Sequence, residues 1–210
     1  TYFGRQQRYH GTRIWTTYYE RDFIEGLATD KIPDARFADE PFMLKVARLL
    51  GQAAAPNLVV GRTDGKGNVT FDSGDEMILF DDEGNPRRIV VADHAGTFND
   101  VTSPLAAFAA GYAAPAVSRA KRLARPAAFI DAYVEAFAKR LADMKTECRL
   151  KRHVFDALFQ GCRQGPGTFS DRWKAALARL ESTDIPELTR VIRAHISAAL
   201  APEGGAKNLG

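Results

Sequence analysis

The stretch at residues 57–96 reads NLVVGRTDGKGNVTFDSGDEMILFDDEGNPRRIVVADHAG, and its pattern determines the fold that we expect. Short apolar runs alternate with loops rich in Gly, Asn and Asp, residues that tolerate positive φ or close a turn through their side chains. The runs predict three β-strands, at residues 58–62, at 69–72 continued by 75–80, and at 87–92. Because the loops between the strands are short, we expect antiparallel pairing as a meander.

Helical patterns flank this stretch on both sides. Before it, an aromatic or apolar residue recurs at every fourth position from Trp15 to Leu27 and predicts a helix at residues 12–28. A wide apolar face predicts a second helix at residues 41–54. After the stretch, the apolar spacing predicts helices at residues 127–160, 171–181 and 186–200.

The order of helices, then strands, then helices, without alternation, predicts an α+β protein. We expect N-terminal helices, a small antiparallel β-meander and a C-terminal helical bundle, all within a single domain of residues 1–210. Its expected parts are a helical region at 1–56, the meander with the candidate site at 57–100, a helical lobe at 101–202 and a loose tail at 203–210.

The composition is that of an ordinary globular chain. The 210 residues can bury a core without disulfides, and 45% of them are hydrophobic and 26% charged. A net charge of +3 permits contact with phosphate-rich partners without requiring it. The longest uncharged stretch, residues 103–118, is interrupted by two prolines and a glycine and is too short to cross a bilayer, so we expect no membrane association.

The cysteines and the first residue carry two further expectations. Cys148 and Cys162 fall in one predicted helix, about 21 Å apart along its axis, which is too far for a disulfide. We therefore expect free thiols and a cytoplasmic location. Because the chain begins with Thr1 and not with methionine, we expect a processed form or a part of a longer protein.

Three carboxylates lie close together in the second predicted strand. Asp72, Asp75 and Glu76 fall within five residues, and clustered carboxylate oxygens suit Mg²⁺ or Mn²⁺. Since side chains alternate along a strand, Asp72 and Glu76 would share a face, and Asp75 would join them only through a bulge at Gly74. The alternative interpretation is that all three are solvent-facing charges on a half-exposed strand.

Asp93 and His94 close the third predicted strand. A histidine beside an aspartate at a strand end can be a general base or a metal ligand, although turn histidines are also common. Basic residues cluster at 119–125 and 139–152, which fits either the solvated face of a helix or a phosphate-binding stripe. No GxSxG, HExxH or CxxC motif occurs, so serine-triad and structural-zinc functions have no positive support.

One part of the central stretch resembles a known family. Asn57, an apolar run, a hairpin, a second run and then Phe71-Asp72-Ser73-Gly74 resemble the metal-binding segment of the protein-kinase-like fold. In that family an Asn opens a strand, an Asp follows on the next strand, and both bind the Mg²⁺ of ATP. The resemblance implies that Asn57 and Asp72 bind Mg²⁺ or Mn²⁺ together with ATP.

The remaining roles are assigned by position. Glu76 is a further candidate metal ligand because it lies next to the aspartates. Gln52 stands where the family has its catalytic Asp, five residues before the Asn, so that role has no occupant there. Asp75, Asp93 and His94 are therefore the candidates for the catalytic base.

These observations lead to two main hypotheses for function. The first is a metal-dependent phosphotransferase of kinase-like build, as a fragment or a divergent member, acting on a nucleotide or small-molecule substrate. The alternative is a non-catalytic interaction module whose sheet and basic helices bind a protein partner, the remainder of a larger chain, or nucleic acid. A metal-dependent hydrolase using the same carboxylates is a third hypothesis.

Overall fold

The computed structural model describes residues 2–9, 12–19, 26–61, 76–91, 98, 100–159 and 169–201. Within these ranges the protein is α+β, as the sequence predicts. The strands are β1 (Tyr2–Tyr9), β2 (Thr12–Tyr19), β3 (Leu27–Ala28), β4 (Glu76–Phe80) and β5 (Pro86–Val91). The helices are α1 (Glu40–Val59), α2 (Ala109–Ala120), α3 (Pro126–Leu150), α4 (Arg152–Phe159), α5 (Phe169–Ser182) and α6 (Ile185–Leu200). Short 3₁₀ helices lie at Thr29–Lys31, Asp34–Ala38 and Leu105–Phe108.

The N-terminal region differs from the helix predicted at residues 12–28. β1 and β2 pair antiparallel, with Tyr2 opposite Tyr19 and Tyr9 opposite Thr12. The prediction was wrong because a repeat of four residues places side chains on one face of a strand as well as on one face of a helix. The β-branched and aromatic residues of β2, TRIWTTYY, are the signal that favours a strand.

A second antiparallel sheet contains β3, β4 and β5, with β4 in the centre. Ile78 of β4 lies opposite Leu27 on one side and Ile89 on the other, and it is fully buried. The pairing of β4 with β5 confirms the predicted hairpin over its described residues. The third strand of this sheet is β3, and not the strand that we expected at residues 58–62.

The connection between β4 and β5 is a tight turn, as its sequence predicts. The N–H of Asp81 donates to the carbonyl of Asn85 at 3.0 Å, and Gly84 has a φ of 79°, which favours glycine. The N–H of Asn85 donates to the Asp81 carboxylate at 2.7 Å, and this bond holds the pKa of Asp81 below its usual value. The loop between the first two predicted strands and the strand segment predicted at 69–72 lie outside the described residues.

Helix α1 continues to Val59, so the strand predicted at residues 58–62 is wrong. The sequence predicts that this helix ends at residue 54, before Pro56, because proline inside a helix removes one hydrogen bond and clashes with the preceding turn. Three buried alanines precede Pro56, and alanine has the highest helix propensity of all residues. Tertiary packing of this alanine-rich surface outweighs the local cost of the proline.

The core forms where α1 packs against α3. Gly51 is a point of close approach, because a Cβ at this position would overlap the backbone carbonyl oxygen of Tyr133. The hydroxyl of Tyr133 donates to the carbonyl of Tyr112 on α2 at 2.8 Å, which ties α3 to α2. Burial raises the pKa of Tyr133, so its hydroxyl keeps the proton that it donates.

The C-terminal half is helical, as expected. α5 and α6 confirm the helices predicted at 171–181 and 186–200, and Asp184 caps α6 by accepting a hydrogen bond from the N–H of Glu187 at 3.0 Å. The helix predicted at 127–160 is divided, since α3 ends at Leu150 and α4 begins at Arg152. Neither Gly nor Pro occurs there to signal the break. None of the helices in the described ranges has the length and apolar character needed to cross a bilayer.

We expect Gly51→Val to destabilise the protein, because the added side chain must displace the backbone of α3. Overpacking of this kind costs about 1–3 kcal/mol, and the loss is measured by urea denaturation followed by circular dichroism. Gln52→Val, at the next and exposed position of the same helix, is the matched control and should change the stability by no more than about 0.5 kcal/mol. Equal losses in the two variants would contradict the close approach of α1 and α3.

Candidate functional site

The structure describes two of the six residues that the sequence singled out. Asn57 lies on α1, two residues before the helix ends, and Glu76 is the first residue of β4. The other four lie outside the described residues: Asp72, Asp75, Asp93 and His94. Their roles stay predictions.

Asn57 is buried, with 4% of its surface exposed. Its side-chain nitrogen Nδ2 is also buried and has no hydrogen-bond partner in the described part of the chain. Buried amide groups in folded proteins nearly always have a partner, so this unused donor is unusual. Its position on a helix differs from the strand start that the kinase-like pattern has for this Asn.

Glu76 is completely buried and lies opposite Val91 in the β4–β5 ladder. A buried glutamate at the first residue of a strand is rare, because carboxylates are usually solvated unless they are paired. The solvent-facing alternative that we considered for the carboxylate cluster is therefore wrong for Glu76.

The described ends of the two segments that carry the other candidates are paired with each other. Residues 62–75 follow Gly61 and lead into Glu76, whereas residues 92–97 follow Val91 and lead into Phe98. Glu76 and Val91 are ladder partners, and the N–H of Phe98 donates to the carbonyl of Val60 at 2.7 Å. The described residues that flank the two segments therefore meet at two places in the fold: the open end of the β4–β5 hairpin and the C-terminal end of α1.

At the C-terminal end of α1, Gly61 allows the backbone to approach the backbone of Asp100 closely. Its φ is 59°, and a Cβ there would overlap the carbonyl oxygen of Asp100. Only glycine adopts this backbone conformation freely and leaves room for the neighbouring carbonyl.

Arg179 on α5 holds this region together. It is buried, with 6% of its surface exposed. Its Nη2 donates to the carbonyl oxygens of Val59 at 2.6 Å and Leu58 at 3.4 Å, and its Nη1 donates to those of Asp100 and Ser103, both at 3.0 Å. A cation that binds the last carbonyls of a helix satisfies them and also interacts favourably with the helix dipole.

The surroundings of Arg179 combine burial with compensating contacts. Burial lowers its pKa, and the nearby Asp100 opposes that effect. The guanidinium also lies 5.6 Å from the ring centroid of Phe108, within the range of a cation–π interaction.

Asp100 closes the loop that Arg179 binds. Its carboxylate accepts hydrogen bonds from the N–H of Ser103 at 3.0 Å, the hydroxyl of Ser103 at 2.7 Å and the N–H of Thr102 at 3.0 Å. These bonds, with the Ser103 N–H first, lower the pKa of Asp100 to about 2. The loop is thus held by the ionised carboxylate.

Sequence reasoning missed both Arg179 and Asp100. Asp100 had a local signal, since an Asp followed by Thr and Ser at the second and third positions is typical of a side-chain-capped turn. Arg179 had none, because an arginine on an amphipathic helix usually lies in solvent.

Within the described ranges no group of three or more His, Cys, Asp or Glu side chains is arranged to hold a metal ion. No protein-family model, curated protein or solved structure matches the chain. The interpretation of the site therefore depends on its own residues.

We expect Arg179→Met to destabilise the fold by about 3 kcal/mol, because it removes charge-assisted hydrogen bonds to four backbone carbonyls, two of them buried, while keeping an apolar chain of similar length. Urea denaturation measures the loss. Arg190→Met is the control: Arg190 pairs only with the exposed Glu187 in the described part of the chain, and its loss should destabilise the fold far less than the loss of Arg179. A similar cost for both would show that the Arg179 contacts do not stabilise the fold.

A pH dependence follows from Asp100. Its folded pKa of about 2 lies below the ordinary value of 3.8 for an aspartate, so its stabilising effect is present above pH 4 and is lost as the pH falls toward 2. We expect Asp100→Asn to be less stable than the native chain at pH 7, and the difference between the two to shrink between pH 4 and pH 2. Denaturation curves at pH 7, 4, 3 and 2 test this; a difference that is constant with pH would exclude the carboxylate charge as its cause.

Proposed function

We propose that this protein is a metal-dependent phosphotransferase, a divergent member of the kinase-like group or a part of one. The observation that carries the proposal is the pairing of the described ends of the two segments. One segment, which contains Asp72 and Asp75, leads into β4 at Glu76. The other, which contains Asp93 and His94, follows β5 after Val91, and Glu76 and Val91 are ladder partners. At their other ends, the N–H of Phe98 donates to the carbonyl of Val60, and Val60 is three residues after Asn57 in the chain.

The proposed donor set fits a hard divalent cation. Asp72, Glu76 and Asn57 would supply carboxylate oxygens and one amide oxygen, the ligands that Mg²⁺ and Mn²⁺ prefer. When bound with ATP, the cation would neutralise charge on the transferring phosphoryl group. The amide of Asn57 also has a hydrogen bond to donate, since its Nδ2 lacks a partner in the described part of the chain.

The remaining candidates would act as the general base. Asp75, Asp93 or His94 would accept the proton of the attacking hydroxyl group of the substrate, as a general base does. The hydrogen bonds of the buried Arg179 to Leu58 and Val59 would keep the end of α1 in place while the substrate binds. Precise positioning of this kind contributes much of the rate enhancement in phosphoryl transfer.

The position of Asn57 limits how close the relationship can be. In the kinase-like pattern this Asn opens a strand, whereas here it is followed by the last residues of α1. We therefore propose a divergent arrangement in which a helix end, and not a strand, presents the amide. A cytoplasmic location belongs to the same proposal and is supported by the buried free thiol of Cys148.

The first test is a thermal-shift titration with Mg²⁺ or Mn²⁺, with and without ATP. A ligand that binds only the folded state stabilises it by about 2.7 kcal/mol at 100 times its Kd, which raises Tm by roughly 5–10 °C for a chain of this size. We expect a shift that requires both metal and ATP and that disappears in Asp72→Asn. Asp82→Asn, which changes an exposed carboxylate in the β4–β5 turn, is the matched control and should keep the shift.

The other outcomes discriminate between the hypotheses. A shift with metal alone, lost in Asp72→Asn, would favour the hydrolase. A metal–ATP shift that persists in Asp72→Asn would contradict the proposed site. No shift with any ligand would favour the non-catalytic alternative.

A specific observation favours that alternative, an interaction module that binds a protein partner or the remainder of a larger chain. Leu150 is 71% exposed and Val154 is 44% exposed, and they lie four residues apart across the junction of α3 and α4. Exposed basic residues surround them at 149 and 151–153. An apolar pair with a basic border suits an acidic protein segment better than nucleic acid, which would require exposed aromatic residues for stacking.

A further inference from the structure

A cleft with a volume of about 300 Å³ lies between the first turns of α1 and the turn that joins β4 to β5. Its apolar walls are Pro41, Phe42 and Pro86, and basic side chains border it on both sides, Lys45 on α1 and Arg87 on β5. We call it the α1–β5 cleft. It lies at the turn end of the β4–β5 hairpin, whereas the segments proposed for phosphotransfer flank the open end.

An irregularity in the ladder accounts for the position of Arg87. Leu79 pairs with Arg88, whereas the next residue of β4 pairs with Pro86, so Arg87 has no partner across the ladder. An extra residue of this kind forms a bulge, and a bulge re-aims the side chain that it carries. The side chain of Arg87 accordingly borders the same cleft as Lys45.

The cleft and the adjoining face of α1 carry an excess of positive charge. Lys45, Arg87 and Arg48, which lies one turn further along α1, are exposed and have no hydrogen bond or ion pair with any described residue. Asp81 is the acidic side chain in the lining, and its carboxylate accepts hydrogen bonds from Asn85 at 2.7 and 3.3 Å. One carboxylate thus faces three cations, and such an excess attracts anionic groups.

The lack of partners distinguishes this surface from much of the helical surface. After Glu40, neither α1 nor β5 contains an acidic residue, and the acidic residues Asp82 and Glu83 of the turn do not line the cleft. Several exposed arginines elsewhere in the described chain have a carboxylate partner, as in the pairs Arg125–Glu40, Arg140–Glu147, Arg190–Glu187 and Arg193–Asp131.

Neighbouring contacts hold the walls of the cleft in place. The ring of Phe42 stacks on that of Phe80, with centroids 6.4 Å apart. The guanidinium of Arg36 lies 4.2 Å from the ring centroid of Phe42 and donates to the carbonyl of Gly84 at 2.7 Å. These contacts tie the β4–β5 turn to the start of α1. A ligand therefore meets a preformed cleft, which lowers the entropic cost of binding.

We propose that the α1–β5 cleft binds an acidic segment of a protein partner, with one bulky apolar side chain against the proline and phenylalanine walls and flanking carboxylates at Lys45, Arg48 and Arg87. Charge complementarity carries this proposal, and the volume of the cleft suits a single large side chain. Single-stranded nucleic acid fits less well, because Phe42 is only 5% exposed and offers no ring for a base to stack on. The inference does not depend on the phosphotransferase proposal.

The test is fluorescence anisotropy with a labelled peptide that has three glutamates on each side of one tryptophan. Two control peptides carry glutamines in place of the glutamates, or serine in place of the tryptophan. We expect the acidic peptide to bind at least about tenfold more tightly than either control, because each control lacks one of the two kinds of contact. Raising the salt concentration from about 50 mM to about 500 mM should weaken binding, since the charges are then screened.

Variants of the protein locate the binding site. Lys45→Glu and Arg87→Glu should each weaken binding by about tenfold or more, whereas Lys174→Glu, at an exposed position of α5, should not. Arg87→Ala should also weaken binding, and Arg88→Ala is its matched control, since Arg88 is the next residue of β5, is exposed and does not line the cleft. Because all these positions are exposed, the variants should stay folded, which circular dichroism melts confirm.

The outcomes can overturn the proposal in several ways. No binding of the acidic peptide, equal binding of either control peptide, or binding that Lys45→Glu and Arg87→Glu leave unchanged would each contradict it. An oligothymidylate that binds more tightly than the acidic peptide and is released by Lys45→Glu would assign the cleft to nucleic acid and would overturn the choice of a protein partner.

Discussion

The hydrogen bonds of Arg179 hold the end of α1 against the loop that precedes α2, and the arrangement of this part of the structure depends on them. Its guanidinium, buried on α5, donates hydrogen bonds to carbonyls at the end of α1 and to carbonyls of the loop before α2. Removing a guanidinium from water is costly, and charge-assisted hydrogen bonds with good geometry offset that cost. A helix from the C-terminal half thereby binds the end of a helix from the N-terminal half.

This constraint also positions the described residues that flank the candidate segments. Because Arg179 holds the backbone at Val59 and at Asp100, the chain on either side of it is brought together, and the N–H of Phe98 can donate to Val60. The β4–β5 ladder provides the second meeting point. The two meeting points of the described flanking residues are the physical basis for our proposal for the central stretch.

The local patterns in the sequence predict part of this arrangement. The β4–β5 hairpin, its turn and helices α5 and α6 follow from alternation, turn chemistry and apolar spacing, which are local properties. β2 was predicted as a helix because an interval of four residues suits both a helix and a strand. For the candidate site, the sequence indicated Asn57 and Glu76 as polar residues of interest. Their burial became visible only in three dimensions, as did the Nδ2 of Asn57, which has no hydrogen-bond partner among the described residues.

The sequence by itself determined the α+β class, the β4–β5 hairpin and the helical C-terminal half, because each depends on contacts between residues close in the chain. Only the tertiary structure decided that α1 continues past Pro56, that β3 completes the second sheet and that Arg179 is buried. The reason is that these features depend on partners far away in sequence. The carbonyls that Arg179 binds lie 76 to 121 residues from it, and no local pattern records that pairing.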